Sequence, residues 1–289
     1  MPNVWDGKWL WSEKMLSIDS KQIGEFRRTV WKYYRLSGRH DLVWRKTRDP
    51  YRIMVSEYML QQTQVPRVIV KYREFLREFP TVDILARATL AQVLKLWSGL
   101  GYNRRGKYLH ETARLVMGEY RGNLKKALMH PLPGVGPYTR AAVRTFAYKE
   151  PHTMLETNIR TAFIHHFYQG RPLVKDKDIL TIATKAAEHQ DPREWHWALM
   201  DYGAHIKKLH KNPARRSTAY VRQSKFEGSL RQARGAILRA LHDSPESEAN
   251  IRSDLKNLPR SDLGKFKTAL AGLAKDGLVV KEKGKWRIA

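Results

Sequence analysis

The chain has 289 residues, long enough for about two domains. Its 54 Lys and Arg against 28 Asp and Glu leave a net charge of +26, and a 42% hydrophobic share marks a folded chain rather than a disordered one. It contains no cysteine, which excludes disulfides, thiolate nucleophiles, and cysteine-held zinc or iron–sulfur sites.

No stretch approaches the roughly 18 apolar residues of a membrane span. The N-terminus lacks a basic start followed by an apolar signal core, so the expected setting is the cytoplasm or nucleoid and not the secreted space. The charge calls for an acidic partner, nucleic acid first and an anionic membrane surface second.

Helical spacing opens the chain at Ile23, Phe26, Val30, Tyr33 and Tyr34. After the turn Arg48-Asp49-Pro50, the segment Ile53 to Leu60 is apolar on nearly every side except at Ser56 and Glu57, the mark of a buried helix. A carboxylate there costs free energy unless it is paired, hydrogen-bonded or protonated. Two readings of Glu57 follow: a structural glutamate capping a neighbouring loop, or a general acid with a raised pKa.

Further helices are expected around Val68, Tyr72, Phe75 and Phe79, and around Leu90, Val93, Leu94 and Trp97, with Ser98-Gly99-Leu100-Gly101 as a turn. A helix of about Leu124 to His130 leads into Leu132-Pro133-Gly134-Val135-Gly136-Pro137, where a second helix starts. Two glycines permit a tight turn and a close backbone approach, and proline suits the first helical turn. The amides at that helix start form an anion site. The segment reads either as an ordinary turn between helices or as a helix-hairpin-helix, which holds a DNA backbone without reading sequence.

From about Ala204 the chain reads as a basic, irregular stretch through Lys207, Lys208, Lys211, Arg215 and Arg216, either a linker or a loop lying on phosphate. Regular patterning returns after Gly228. Ile237, Leu238 and Leu241 mark one helix, Ile251 and Leu255 a shorter one, and Leu263, Phe266, Leu270 and Leu273 a third that Gly277 ends. Leu278-Val279-Val280 and Trp286-Arg287-Ile288 flank a basic hairpin turn. Three helices and a terminal hairpin resemble a winged helix.

The run Ser56-Glu57-Tyr58-Met59-Leu60-Gln61-Gln62-Thr63-Gln64-Val65 is long and unusual, and it resembles the signature of the MutY-type adenine DNA glycosylases of the helix-hairpin-helix superfamily. Arg48-Asp49-Pro50-Tyr51 precedes it. Leu96 to Tyr102, Leu132 to Thr139, Leu155 to Arg160 and Trp197 to Ala204 follow in family order. The resemblance runs from about Asp41 to Ala204. It implies a mainly α fold of two helical subdomains with a cleft between them, over residues 20–222. One subdomain would span about 46–150, the other 20–45 and 151–222, and the winged-helix-like domain 226–289.

The resemblance also implies the chemistry. Such enzymes flip a base out of the duplex and cut its N-glycosidic bond. Glu57 matches the acid that protonates the adenine ring nitrogen, and Asn158 an active-site asparagine. Tyr138 stands where a bifunctional relative carries a Schiff-base lysine, so a monofunctional glycosylase without lyase activity is expected. Gln61 and Gln62 match residues near the gap left by the flipped base. Tyr102, Leu132, Gly134, Val135, Gly136 and Thr139 fall in DNA-contacting motifs, and Lys207, Lys208 and Lys211 keep a phosphate role.

Three departures stand against the family pattern. Glu156 replaces an aspartate that stabilises the cationic sugar, so it either reaches the sugar or has become a surface helix cap. Lys207, Ala214, Ser217 and about Gln223 replace four cysteines that hold a [4Fe–4S] cluster, so no cofactor and no metal are expected. The winged-helix-like segment replaces a second domain that reads 8-oxoguanine, with Asp262 to Lys275 as candidate recognition helix and Lys281 to Lys285 as wing tip.

The expected function is excision of adenine mispaired with 8-oxoguanine or guanine from double-stranded DNA, by a monomer. A mismatch glycosylase for thymine or uracil opposite guanine, and a non-catalytic DNA-binding protein, are the alternatives.

Overall fold

The computed structural model describes residues 19–255 and 264–289. Helices α1 (Ser20–Ser37), α2 (Pro50–Leu60), α3 (Val65–Glu78), α4 (Val82–Arg87), α5 (Leu90–Trp97), α6 (Arg104–Gly118), α7 (Leu124–Ala127) and α8 (Pro137–Tyr148) come first. Then follow α9 (Thr157–Phe167), α10 (Asp176–Ala187) and α11 (Pro192–Leu209). The C-terminal unit holds α12 (Leu230–Ala240), α13 (Glu248–Asp254), α14 (Phe266–Lys275), β1 (Val279–Glu282) and β2 (Lys285–Ile288). No helix of the described residues is long and apolar enough to cross a membrane.

The helix starts are written in the sequence. Asp19 and Gln22 form a reciprocal capping box at α1, as do Thr89 and Gln92 at α5. Asp49 before Pro50 and Asp191 before Pro192 cap α2 and α11, each carboxylate accepting from amides of the first turn. The helix α2 is the hub. Tyr51 and every residue from Ile53 to Met59 are buried, and α2 packs against α8, α3 and α6.

A second layer is built on α11, which packs against α9 and α1 and also reaches α8. One apolar core runs from Ile23 to Ile206 through both layers. The cleft between them is framed by α2 and α8 on one side and by the start of α9 on the other.

The close fit of α9 on α11 turns on Gly203. A Cβ built there would lie 1.8 Å from the backbone oxygen of Asn158, so only glycine permits this approach. The basic stretch expected to be irregular from Ala204 is instead helical to Leu209, because Ile206 is buried and continues the apolar stripe of α11. The helix before the hairpin is shorter than expected and ends at Ala127.

The C-terminal unit buries its own cluster, including Ile237, Leu238, Ile251, Phe266, Leu273 and Ile288, to which α5 adds Leu94. β1 and β2 pair antiparallel around Lys283 and Gly284, both at positive φ, and a bridge from Glu246 to Trp286 adds a third position to the sheet. Helix–bridge–helix–helix–hairpin is the winged-helix order. Gly277, at φ +63°, ends α14 as expected. Asp262 and Leu263, the start of the candidate recognition helix, lie outside the described residues.

Gly203→Ala is expected to destabilise the protein by about 3 kcal/mol or more, because backbone cannot yield to the new methyl. Gly118→Ala, at an exposed position with nothing within 4 Å of its Cβ, is expected to stabilise by about 0.5 kcal/mol. Urea unfolding of the two variants beside the parent checks both.

Candidate active site

Three sequence-predicted groups converge on the cleft. Glu57 comes from the middle of α2, Tyr138 from the first turn of α8, and Glu156 from the N-cap of α9. Glu57 is buried, and its pKa is pushed up to about 8, first by loss of water and then by the nearby Glu156 carboxylate. Tyr138 is raised well above the usual phenol range, by burial and then by Glu57 and Glu156. Glu156 thus acts on the ionisation of Glu57, and both act on that of Tyr138.

The helix-cap reading of Glu156 holds. It caps α9, one carboxylate oxygen accepting from the amides of Asn158 and Ile159, each at 2.8 Å. Its other oxygen accepts from the Asn158 side-chain amide at 3.2 Å. It is only half-buried, yet it faces Glu57 rather than open solvent. Burial raises its pKa, while the two amide bonds and the cations Arg160 and Lys207 pull against that rise. Glu57 has no such opposition. Both carboxyls are raised, Glu57 without opposition and Glu156 against the pull of its amides and cations, so Glu57 is the readier of the two to hold a proton.

The turn after α2 is held by a residue the sequence reading missed. Arg105 is buried, and its guanidinium donates to the carbonyls of Tyr58 (2.7 Å), Met59 (3.1 Å), Leu100 (3.1 Å) and Gly101 (3.1 Å), and also to that of Gln61. It thus ties the end of α2 to the turn before α6, at the cost of a pKa lowered by burial to about 10. Its sequence signal was faint, one arginine of the pair Arg104-Arg105. Gln62 and Tyr102 project from these two tied turns at positive φ, 56° and 47°.

The hairpin residues divide by role. Leu132 and Val135 are buried core side chains, and Thr139 is buried with its hydroxyl accepting from Gln61 Nε2 at 3.2 Å. Their side chains therefore face inward, and only their main chain borders the surface. Gly134 and Gly136 are exposed. A Cβ at Gly134 would meet the rings of Tyr108 and Tyr58 at 2.9–3.0 Å, and Tyr58 Oη in turn donates to the carbonyl of Pro133. Lys207 and Lys208 lie exposed on the last turn of α11, with Lys211 exposed just after it.

The four positions that align with cluster cysteines do not fit a cluster. Lys207 is exposed, Ala214 and Ser217 are buried and lack thiolates, and Gln223 donates to Tyr102 Oη at 2.8 Å. Among the described residues no group of His, Cys, Asp or Glu is placed to hold a metal. Arg216 closes this loop instead, donating to the carbonyls of Tyr168 (2.6 Å), Arg171 (2.9 Å) and Ile164 (3.2 Å). Ser217 Oγ donates to Asp176 at 3.1 Å, and Asp176 also pairs with Arg160.

Comparison with known proteins identifies the family. Residues 55–186 match the HhH-GPD superfamily of base excision DNA repair proteins. An adenine DNA glycosylase of Mycolicibacterium smegmatis is 32% identical over 265 residues, covering 84% of this chain and 88% of that protein. The adenine DNA glycosylase of Buchnera aphidicola subsp. Baizongia pistaciae is 33% identical over 63% of this chain, which spans about half (52%) of that relative. A solved structure of a thermostable thymine-DNA glycosylase, 29% identical, superposes with a TM-score of 0.56 over 64% of this chain and 87% of its own. The chain belongs to the adenine DNA glycosylase family of the HhH-GPD superfamily.

The raised pKa of Glu57 fixes the sign of a stability effect. Unfolding returns the group to about 4.5, so from there to about 8 the unfolded state loses a proton that the folded state keeps. Stability from this group is full below pH 4.5 and is lost as pH rises toward 8. Glu57→Gln is therefore expected to unfold later than the parent at pH 8, with the gap shrinking to nothing near pH 4.5. Thermal unfolding across that range checks it.

Proposed function

We propose that the protein is a monofunctional adenine DNA glycosylase, acting as a monomer on double-stranded DNA with adenine opposite guanine or 8-oxoguanine. The observation that carries the reading is the meeting of two carboxyls in unlike surroundings: Glu57 inside an apolar helix, and Glu156 held by the amides that open α9.

N-glycosidic cleavage needs a proton on the departing purine and negative charge beside the sugar. Glu57 gives its proton to a ring nitrogen of the flipped adenine, so the base leaves neutral. The C1′–N bond breaks with its electron pair going to the base. Glu156, pinned by two amides and by Asn158, presents its carboxylate to the cationic sugar. Water then adds through oxygen to C1′, and its released proton passes to a carboxylate of the pair. Tyr138 has no amine to form a Schiff base, so the product is an abasic site in an uncut strand. The exposed hairpin at Gly134 and Gly136, with the amides that open α8, is suited to a phosphate.

A glutamate where relatives use aspartate is accommodated by its position. The longer side chain reaches the amides of Asn158 and Ile159 in the first turn of α9, which fixes the carboxylate despite the extra methylene. The second reading, a mismatch glycosylase for thymine opposite guanine, is favoured by one observation: the solved thymine-DNA glycosylase has a matching fold at 29% identity.

Single-turnover assays on duplexes that differ in one pair separate these readings. Adenine release opposite 8-oxoguanine or guanine is expected, with thymine left in place. Glu57→Gln is expected to slow release by about 100-fold or more. The parent rate is expected to fall as pH rises past about 8, where Glu57 loses its proton. Borohydride is expected to trap no protein–DNA adduct. Release of thymine instead, or a trapped adduct, would overturn the corresponding part.

A further inference from the structure

The C-terminal unit is strapped to the glycosylase core. Asp276, just past α14, pairs with Arg234 of α12 at 2.5 Å and with Arg104 of α6 at 3.5 Å. Its backbone carbonyl accepts from Lys107 Nζ at 2.7 Å. Lys95 of α5 pairs with Asp243 at 2.7 Å, and Leu94 of α5 enters the unit's core. The end of α14 is thereby turned onto α6.

Two pockets of about 330 and 340 Å³ open side by side along this seam and share Gln62, Tyr102, Asn103 and Arg231. α12 lines them; among the described residues α14 contributes none. Tyr102 is held between two guanidinium groups, Arg105 at 5.5 Å and Arg231 at 5.1 Å from its ring. Its hydroxyl accepts from Arg231 at 3.1 Å and from Gln223 at 2.8 Å. Arg67 and Arg239, both exposed, line the pocket of about 330 Å³, one from the core and one from the C-terminal unit. Gln61, which donates to Thr139, borders one of these pockets and Gln62 borders both, so the seam begins at the turn that follows the helix of Glu57.

We propose that this seam is a second DNA-binding groove, one that seats the phosphodiester backbone of the strand opposite the one entering the acid site. Arg67, Arg231 and Arg239 are its phosphate-contacting cations. The groove exists only because the C-terminal unit is docked, and it uses the first helix of that unit rather than the expected recognition helix. The inference rests on the DNA reading above, and it extends that reading to the part of the chain beyond the glycosylase motifs. Duplex DNA is distinguished from a single strand here, because only the duplex supplies a second backbone.

The test uses the full chain with Glu57→Gln to prevent turnover. The probes are a labelled duplex with adenine opposite guanine and the same adenine strand alone. Adding Arg67→Glu and Arg239→Glu together is expected to weaken duplex binding about tenfold or more and to lower the slope of log affinity against log salt by about two. Single-strand binding is expected to change less than about twofold. Arg231→Ala is expected to act in the same direction, and melting curves matching the parent's establish that the surface variants fold. Unchanged duplex binding, or equal loss on both probes, overturns the groove while leaving the glycosylase reading intact. A parent that binds neither probe overturns the DNA reading itself, and this inference with it.

Discussion

Everything in the cleft depends on the cost of putting an ionisable carboxyl in the middle of an apolar helix. Glu57 is surrounded by Ile53, Met54, Val55, Tyr58 and Met59, all buried. Nothing there offers a cation, so the group holds its proton at neutral pH. The rest of the site is arranged around that fact. α8 closes over the cleft with Tyr138, and α9 starts opposite with a second carboxyl that is given amide donors and nearby cations. Arg105 then fixes the end of α2, the turn on which the acid's position depends.

The loop after α11 shows how a scaffold can keep its shape when its usual fastening has no ligands. Three main-chain carbonyls converge on Arg216, and Ser217 and Arg160 share Asp176. Val174 N–H donates to the carbonyl of Arg216 at 2.8 Å, and its own carbonyl accepts from Thr218 N–H at 3.0 Å. These are the interactions of an ordinary folded loop, made between residues of α9, the strand-like segment at Val174 and the short turn Pro213–Arg216. The lysines on the last turn of α11 and just after it are left exposed.

The sequence made some of this legible and hid the rest for physical reasons. The start of α8 was readable because proline suits a first helical turn, whereas the caps at Asp19 and Thr89 carried a local signal, a partner three residues on, that apolar spacing does not use. Glu57 stood out because one charge in an apolar run is a contradiction that demands an explanation. Glu156 was harder, since a cap and an active-site carboxylate look identical until α9 is seen to start at the cleft. Arg105 and Asp276 were invisible, because their partners are carbonyls and side chains gathered from distant segments. The inward turn of Leu132, Val135 and Thr139 was likewise a tertiary fact: the hairpin motif is recognisable, but which of its atoms meet the surface is set by Tyr58 and Tyr108 beneath Gly134. The end of α11 was misjudged because charge was read before periodicity, and Ile206 kept the helix going.

The Arg216 closure has a consequence for how the chain matures. A loop fastened by a guanidinium and carbonyls is assembled from parts that the ribosome supplies. It needs no delivery of an inorganic centre and no scaffold proteins to load one. It has no oxidation state to be lost in air, and a chelator has nothing in that loop to remove. The closure of this loop is thus part of folding itself, governed by the same equilibrium as the rest of the core.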